Sequence, residues 1–310
     1  MLKNPKSKPT TTKAQSLATC ADNVPLLGSH ISIAGGPSKA IDRALSIGCT
    51  AIQIFVKSNM QWFSKPLDES ELRDFHDHPR RNELKSIFGH TGYMINMGAV
   101  NPEFHDKSLR ALSEELIRAD QLSLPFLVLH PGAHMGAGEK AGLSKITTSL
   151  DRVLDGIPKV KTRIALETTA GQGTSLGCRF EHLAWILEHS NHPDRLCICL
   201  DTAHVFAAGY DISTDERTAD VFEEFDKIIG IHQLAAIHCN DSKTKFNSRV
   251  DRHEHIGKGE IGTGAFRFIM RDNRFAMIPK VLETPKGPAL LEDVENMKTL
   301  LSLASELITG

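Results

Sequence analysis

Six short apolar runs in this chain each end in a side chain that can bind a metal ion. His90 follows SIFG, His130 follows FLVL, Glu167 follows RIAL, Asp201 follows LCICL, His238 follows LAAI and Glu283 follows KVL. His204 stands three residues past Asp201, and Asp251-x-His253 lies in the long segment after LAAIHCND. Taken singly, each has an ordinary reading: a histidine satisfied by local hydrogen bonds, or a carboxylate capping a helix. Gathered at one place, five imidazoles and four carboxylates would repel and desolvate one another unless cations lay between them. No matching ring of Lys or Arg accompanies them. Imidazole and carboxylate without thiolate suit Zn, Mn or Fe at a catalytic site rather than a structural zinc. Nine ligands are too many for one four- or five-coordinate ion, so two or three ions are expected. Adjacent ions sharing a carboxylate suit phosphoester hydrolysis, in which one generates hydroxide and the others stabilise the attacking and leaving oxygens.

The elements that would gather these residues are visible as an alternation. Eight β-rich runs recur, LLGSHIS (26–32), AIQIFVK (51–57), SIFGH (86–90), FLVLHPG (126–132), RIALETT (163–169), LCICLDTAH (196–204), LAAIHCND (234–241) and PKVLETP (279–285). Helical periodicity separates them, as in 108–122, 145–154, 180–189 and 218–230, and a last helical segment, 290–308, follows the eighth run. Strand–helix alternation implies a parallel sheet, and eight units imply an α/β fold: a single (βα)8 TIM barrel. Active sites of such barrels form at the C-terminal ends of the strands, where the six metal-competent residues fall. A length of 310 residues fits one barrel with extras, and no Pro/Ser linker after residue 25 suggests a second domain. The expected organisation is a barrel over 26–310 behind a short disordered basic tail, 1–25, with Lys3, Lys6, Lys8 and Lys13 against Asp22 and no apolar core of a secretory signal.

Composition narrows the partners. With 40% hydrophobic and 24% charged residues the chain is ordinary for a globular protein, and no apolar run approaches the roughly 18 residues of a membrane helix. A net charge of −2 excludes a uniformly basic nucleic-acid coat but leaves room for a local basic face; Lys243, Lys245, Arg249 and Arg252 are the best candidate. Six cysteines form no C-x-x-C pair, and Cys197 and Cys199 alternate within a strand, so buried thiols in a reducing compartment are expected. Two motif matches are discounted. Gly257-Lys-Gly259-Glu-Ile-Gly262 follows charged DRHEH instead of a hydrophobic strand, so it is not a dinucleotide fingerprint. Gly173-Thr-Ser175-Leu-Gly177 lies several residues past its strand, so Ser175 is a loop residue beside the metals and not a nucleophile on an elbow.

GSHISIAGG (28–36), FLVLHPGAH (126–134), LETTAGQGTSLG (166–177), CLDTAHVFAAGYD (199–211), HCNDSKTKFNSRVDRHEHIGKGEIG (238–262) and LETP (282–285) stand in one order along the chain. Over residues 27–285 the sequence resembles the endonuclease IV class of apurinic/apyrimidinic endonucleases. The resemblance implies a zinc-dependent enzyme with three Zn ions per chain, Mn being possible in place of one. It would cleave double-stranded DNA on the 5′ side of abasic sites, leaving a 3′-hydroxyl and a 5′-deoxyribose phosphate, and would trim blocked 3′ ends. By this resemblance His90, His130 and Glu167 hold one ion; Glu167 bridges to a second held by Asp201, His238 and Glu283; His204, Asp251 and His253 hold the third. Glu167 and Glu283 would be the carboxylates at the chemistry, with metal-bound hydroxide as nucleophile. Tyr93 matches the family's DNA-penetrating aromatic. Met60 stands before Gln61-Trp62 where bacterial members commonly carry Arg, so it could wedge apolar bulk into a base step but brings no charge. His30 and His134 are expected to support the ligands from behind.

Two other classes are compatible with parts of this pattern. A single-metal sugar isomerase or epimerase on the same barrel would leave His204 and Asp251-x-His253 without a role, and a non-catalytic DNA-lesion binder would not need intact ligands. A monomer without membrane attachment is expected, cytoplasmic and nucleoid-associated in a bacterium, nuclear or mitochondrial in a eukaryote.

Overall fold

The computed structural model describes residues 24–305; the basic arm lies outside them except for Val24 and Pro25. Strands β1 (Leu27–Ile31), β2 (Ala51–Phe55), β3 (Ser86–His90), β4 (Phe126–Leu129), β5 (Arg163–Glu167), β6 (Leu196–Asp201), β7 (Leu234–His238) and β8 (Lys280–Leu282) pair in parallel in sequence order, and β8 returns to β1 to close the barrel. Crossover helices α1 (Ser38–Ser46), α2 (Glu69–His76), α3 (Pro102–Gln121), α4 (Glu139–Gly156) and α5 (Phe180–His189) follow the first five strands. A short helix α6 (Thr202–Ala208) then precedes α7 (Asp215–Ile228), and α8 (Gly264–Arg271) and α9 (Leu291–Ser305) complete the ring. The expected (βα)8 barrel is thus observed, with α6 as an extra turn on its top face. No described helix is long and apolar enough to cross a membrane.

Local chemistry explains the elements. Asn101 accepts a hydrogen bond from the Phe104 N–H and Pro102 occupies the first helical turn, so α3 begins there. Its buried Leu109, Leu112 and Leu116 recur at three- and four-residue spacing and face the sheet. Inside the barrel, Phe88 and Phe126 pack with ring centroids 4.7 Å apart against Val128, Ala165, Cys197, Cys199, Ala236 and Val281. Cys197 and Cys199 therefore point to one side as small hydrophobes, and all five described cysteines are free and buried. Gly28 is required by close approach, because a Cβ there would lie 1.8 Å from the Ala51 carbonyl oxygen on β2.

The apolar plug fills the lower and middle barrel, so polar side chains gather at the C-terminal ends. A register shift between β6 and β7 sharpens that face. Ile198 pairs with Leu234 but Cys199 with Ala236, and this bulge brings Asp201 level with His238. Without it the pairing would bring Asp201 level with Ile237. Two small antiparallel ladders organise the loops above: Gly132–Ala133 with Ser175–Leu176, and Asp241–Ser242 with His253–Glu254. The second folds the long segment after β7 back on itself, which carries Asp251 and His253 toward the barrel mouth.

Candidate metal centre

His90, Glu167, Asp201 and His238 are the last residues of β3, β5, β6 and β7, while His130 and Glu283 stand one residue beyond β4 and β8. His204 lies in α6, whose first turn is capped by Asp201: Oδ1 accepts from the His204 N–H at 2.9 Å. The carboxylate is thus both a helix cap and a member of the cluster. Ligand atoms form three groups, each within 4.8 Å: His90, His130 and Glu167; Glu167, Asp201, His238 and Glu283; and Asp201, His204 and His253. Glu167 is fully buried with its oxygens facing opposite ways. Oε2 lies 3.1 Å from His90 Nε2 and 3.0 Å from His130 Nε2, and Oε1 lies 3.0 Å from His238 Nδ1. Asp251 closes the third group from the solvent side, 3.1 Å from His204 Nε2 and 3.4 Å from His253 Nε2. Asp201 reaches into that group as well, Oδ2 lying 3.7 Å from His253 Nε2, a contact that the spacing of the sequence does not indicate.

The donor set fits divalent ions. In each of four histidines one ring nitrogen faces an oxygen acceptor outside the ligand carboxylates: His90 Nδ1 to the Thr91 carbonyl at 2.7 Å, His204 Nδ1 to the Thr168 carbonyl at 2.8 Å with Glu167 Oε1 farther off at 3.4 Å, His253 Nδ1 to the Glu283 carbonyl at 3.2 Å and His238 Nε2 to Gln53 Oε1 at 2.8 Å. Donation outward leaves a lone pair inward, the arrangement of a metal-ligating imidazole. His204 Nε2 and His253 Nε2 are buried and make no hydrogen bond. Burial alone would raise the carboxyl groups and lower the imidazoles; their mutual attraction reverses this. Burial pushes Glu167 up, but His130 and His238 hold it well below the usual carboxylate range. Burial acts likewise on Glu283, where His238 and a hydrogen bond from His30 prevail. Asp251 falls to about 2 against its burial because His204 and His253 face it, and His204, against burial, is held well above the ordinary imidazole range by Asp201 and Asp251. The site is a set of ionised carboxylates interleaved with imidazoles.

The centre opens into a cleft of about 1500 Å³ lined by His90, His130, His204, His253, Glu283 and Tyr93 among others. Tyr93 is 64% exposed at its rim, edge-on to Phe55, and Met60 is 76% exposed. Gln61 is exposed. Trp62 departs from its neighbours: it does not line the cleft but packs edge-on against Phe104, centroids 5.1 Å apart, in a separate groove. Of the basic candidates, Arg252 lines the cleft; Lys243, Lys245 and Arg249 are exposed on the same segment, Arg249 reaching Cys178 Sγ at 3.5 Å. His30 supports Glu283, Nδ1 lying 3.1 Å from Oε1. His134 shapes the loop after β4: its Nδ1 accepts from the Gly138 N–H and its own backbone N–H donates to the Thr174 carbonyl. Ser175 sits in the small loop ladder, as expected, and the Gly257–Gly262 segment wraps Asp241, whose carboxylate accepts from the Gly259 and Ile261 N–H groups at 3.0 Å each.

Three residues at the site went unread in the sequence. Gln53 sits among ligand side chains; Thr168 accepts from His204 and, through Oγ1, from the Asp201 N–H; Asn240 donates to Asp201 Oδ2 at 2.6 Å and accepts from the Glu283 N–H at 2.7 Å. Gln53 carried a signal, being a polar residue inside the apolar strand AIQIF.

Comparison with known proteins agrees with this geometry. A family model described as a xylose isomerase-like TIM barrel matches residues 41–301. A "Probable endonuclease 4" of Geotalea daltonii is 46% identical over 280 residues, covering 90% of this chain and 98% of that one, and one of Chloroflexus aggregans is 45% identical with the same coverage. The crystal structure of endonuclease IV from Thermus thermophilus superposes with a TM-score of 0.81 at 32% identity, over 91% of this chain and 100% of the other. A D-tagatose 3-epimerase-like protein shares the fold alone, at 16% identity and a TM-score of 0.64. The chain belongs to the endonuclease IV family of enzymes, built on the xylose isomerase-like TIM barrel.

Proposed function

We propose that this chain is a DNA repair endonuclease that hydrolyses the phosphodiester 5′ to abasic sites in duplex DNA, leaving a 3′-hydroxyl and a 5′-deoxyribose phosphate, and that it also trims blocked 3′ ends. It uses three zinc ions per chain, manganese being able to replace one. The observation that carries this reading is Glu167, a fully buried carboxylate whose two oxygens face separate histidine groups. It would bridge an ion held with His90 and His130 to a second held with Asp201, His238 and Glu283. His204, Asp251 and His253 would hold the third, with Asp201 alongside.

When bound, such ions neutralise charge developing on a phosphoryl group and make water nucleophilic at neutral pH. The chain's own residues supply the rest. Glu283 lines the cleft, where its carboxylate would orient the attacking water as a hydrogen-bond acceptor, while the fully buried Glu167 would act from beneath through the ions it bridges. Tyr93 lines the cleft and Met60 is exposed beside Asn59, which also lines it, so both are free to meet a duplex. An abasic nucleotide costs least to swing into the cleft, because no base has to be unstacked. Arg252, Lys243 and Arg249 are placed to meet backbone phosphates, which position a duplex without reading its sequence; Gln61 adds a polar contact at the rim, and Trp62 braces that loop from behind. The protein acts as a monomer in whichever compartment holds the DNA.

The test is incubation of purified protein, without added magnesium, with a duplex containing one abasic site. Cleavage on its 5′ side is expected, with three ions per chain after exhaustive dialysis. Binding without cleavage by zinc-replete protein would make the chain a lesion binder, and a single ion per chain would favour the isomerase-type reading.

A further inference from the structure

β1 and β2 are the two barrel strands that neither contain nor lead directly into a candidate ligand, and each sends one polar side chain into the site. His30 and Gln53 are direct register partners on these strands. Gln53 is fully buried, and its amide touches three residues. Nε2 lies 2.6 Å from Glu283 Oε1 and 2.8 Å from His30 Nδ1, and Oε1 lies 2.8 Å from His238 Nε2. Only one orientation of the amide is chemically consistent. An ionised carboxylate accepts and never donates, so the NH2 group must face Glu283 and the carbonyl oxygen must face His238. His238 Nε2 then carries a hydrogen. With that nitrogen committed, Nδ1 is the atom left toward Glu167 Oε1, Glu283 Oε2 and Asp201 Oδ2, at 3.0, 3.3 and 3.7 Å.

We propose that Gln53 is a positioning residue for one ion of the centre: it selects Nδ1 of His238 as the ligand atom and holds the carboxylate of Glu283 in its ligating orientation. The inference rests on the metal-centre reading above. It identifies the ion shared by Glu167, Asp201, His238 and Glu283 as the one whose retention depends on residue 53. The amide nitrogen also lies 2.8 Å from His30 Nδ1, which itself stands 3.1 Å from Glu283 Oε1. His30 Nε2 is buried without a partner, and His30 lines the cleft.

The test compares the zinc-loaded wild type with Gln53→Leu, which removes all three contacts, and Gln53→Glu, which keeps an acceptor for His238 but sets a like charge against Glu283. Zinc retention is titrated with a competing chelator, and the side-chain nitrogens of His238 are followed by long-range proton–nitrogen NMR. In Gln53→Leu one ion of three should bind about 10- to 100-fold more weakly, as for loss of other outer hydrogen bonds to ligands, while two are held as in the wild type and the His238 nitrogen signals shift. In Gln53→Glu the same ion should weaken with the His238 signals unchanged. Wild-type retention of all zinc in Gln53→Leu overturns the proposal, as does uniform loss of all three ions. Failure of both variants to fold also overturns it, by making Gln53 a requirement of the barrel. A wild type holding fewer than three ions would instead refute the metal-centre reading itself.

Discussion

Replacing Glu167 by Gln removes one negative charge and almost no volume, at a position with no solvent exposure. Its two oxygens lie about 3 Å from nitrogens of His90, His130 and His238, so an ion in either flanking group would sit within a few ångströms of the lost charge. One unit of charge at 4 Å is worth about 4 kcal/mol at an effective dielectric constant of 20, or about a thousandfold in affinity. A bridging carboxylate serves two ions, so both should weaken by at least that factor. The amide adds a second insult: its NH2 group must face one histidine pair, where a ligand atom is needed. The assay is zinc content after dialysis against fixed free zinc, run beside incision of an abasic duplex and thermal melts with and without chelator. Two ions should be lost and incision abolished, and the melting shift produced by chelator should shrink, because less bound metal stabilises the folded state. Full metal content with wild-type incision would refute the bridging geometry.

Other expectations concern the rim, the thiols and pH. Met60→Arg should tighten binding to abasic duplex and steepen the salt dependence by about one phosphate contact; an unchanged slope would place residue 60 away from DNA. Burial pushes the thiols of Cys49, Cys197, Cys199 and Cys239 up to about 12, so in a Cys20→Ser background these four should resist maleimide at neutral pH until the protein unfolds, and labelling of any of them in the native state would contradict the packed interior. In metal-free protein, His204 and His238 are raised well above their ordinary value and Glu167 and Glu283 held well below theirs. The raised histidines stabilise the fold fully below about pH 6.5 and lose that contribution as pH rises toward their folded values; the depressed carboxylates stabilise it above about pH 4.3 and lose that only in strong acid. Chelator-treated protein should therefore melt at its highest temperature between about pH 4.5 and 6.5 and at lower temperature toward pH 9. Zinc-loaded protein should show no such decline, because deprotonated imidazoles favour the metal; parallel curves would sink the argument.

The residues legible in the sequence owe it to local rules. His90, His130, Glu167, Asp201, His238 and Glu283 each follow an apolar run, and a parallel strand that ends in a charge announces its own C-terminus. Asp201 shows the limit of such reasoning. Helix cap and ligand stand as alternatives in the sequence, yet its two oxygens are placed for both, Oδ1 receiving the His204 N–H and Oδ2 facing His253 in the candidate cluster. His134 shows the converse case: it stands four residues past His130 across the HPG turn, and its Nδ1 accepts from the Gly138 N–H.

Strand number, strand ends and the chemical class of the centre are properties of short segments, set by side-chain periodicity and by where polarity interrupts it. They were determined by the sequence alone. Which nitrogen of each histidine faces inward, which carboxylate oxygen faces which group, and the role of Gln53 were decided only by the closed barrel. The contact between His238 and Gln53 joins residues 185 positions apart, and the bulge that levels Asp201 with His238 exists only in the pairing of two strands. Hydrogen-bond direction and ligand geometry depend on distances of about 3 Å between such remote atoms, and no pattern along one chain encodes them until packing has fixed the register.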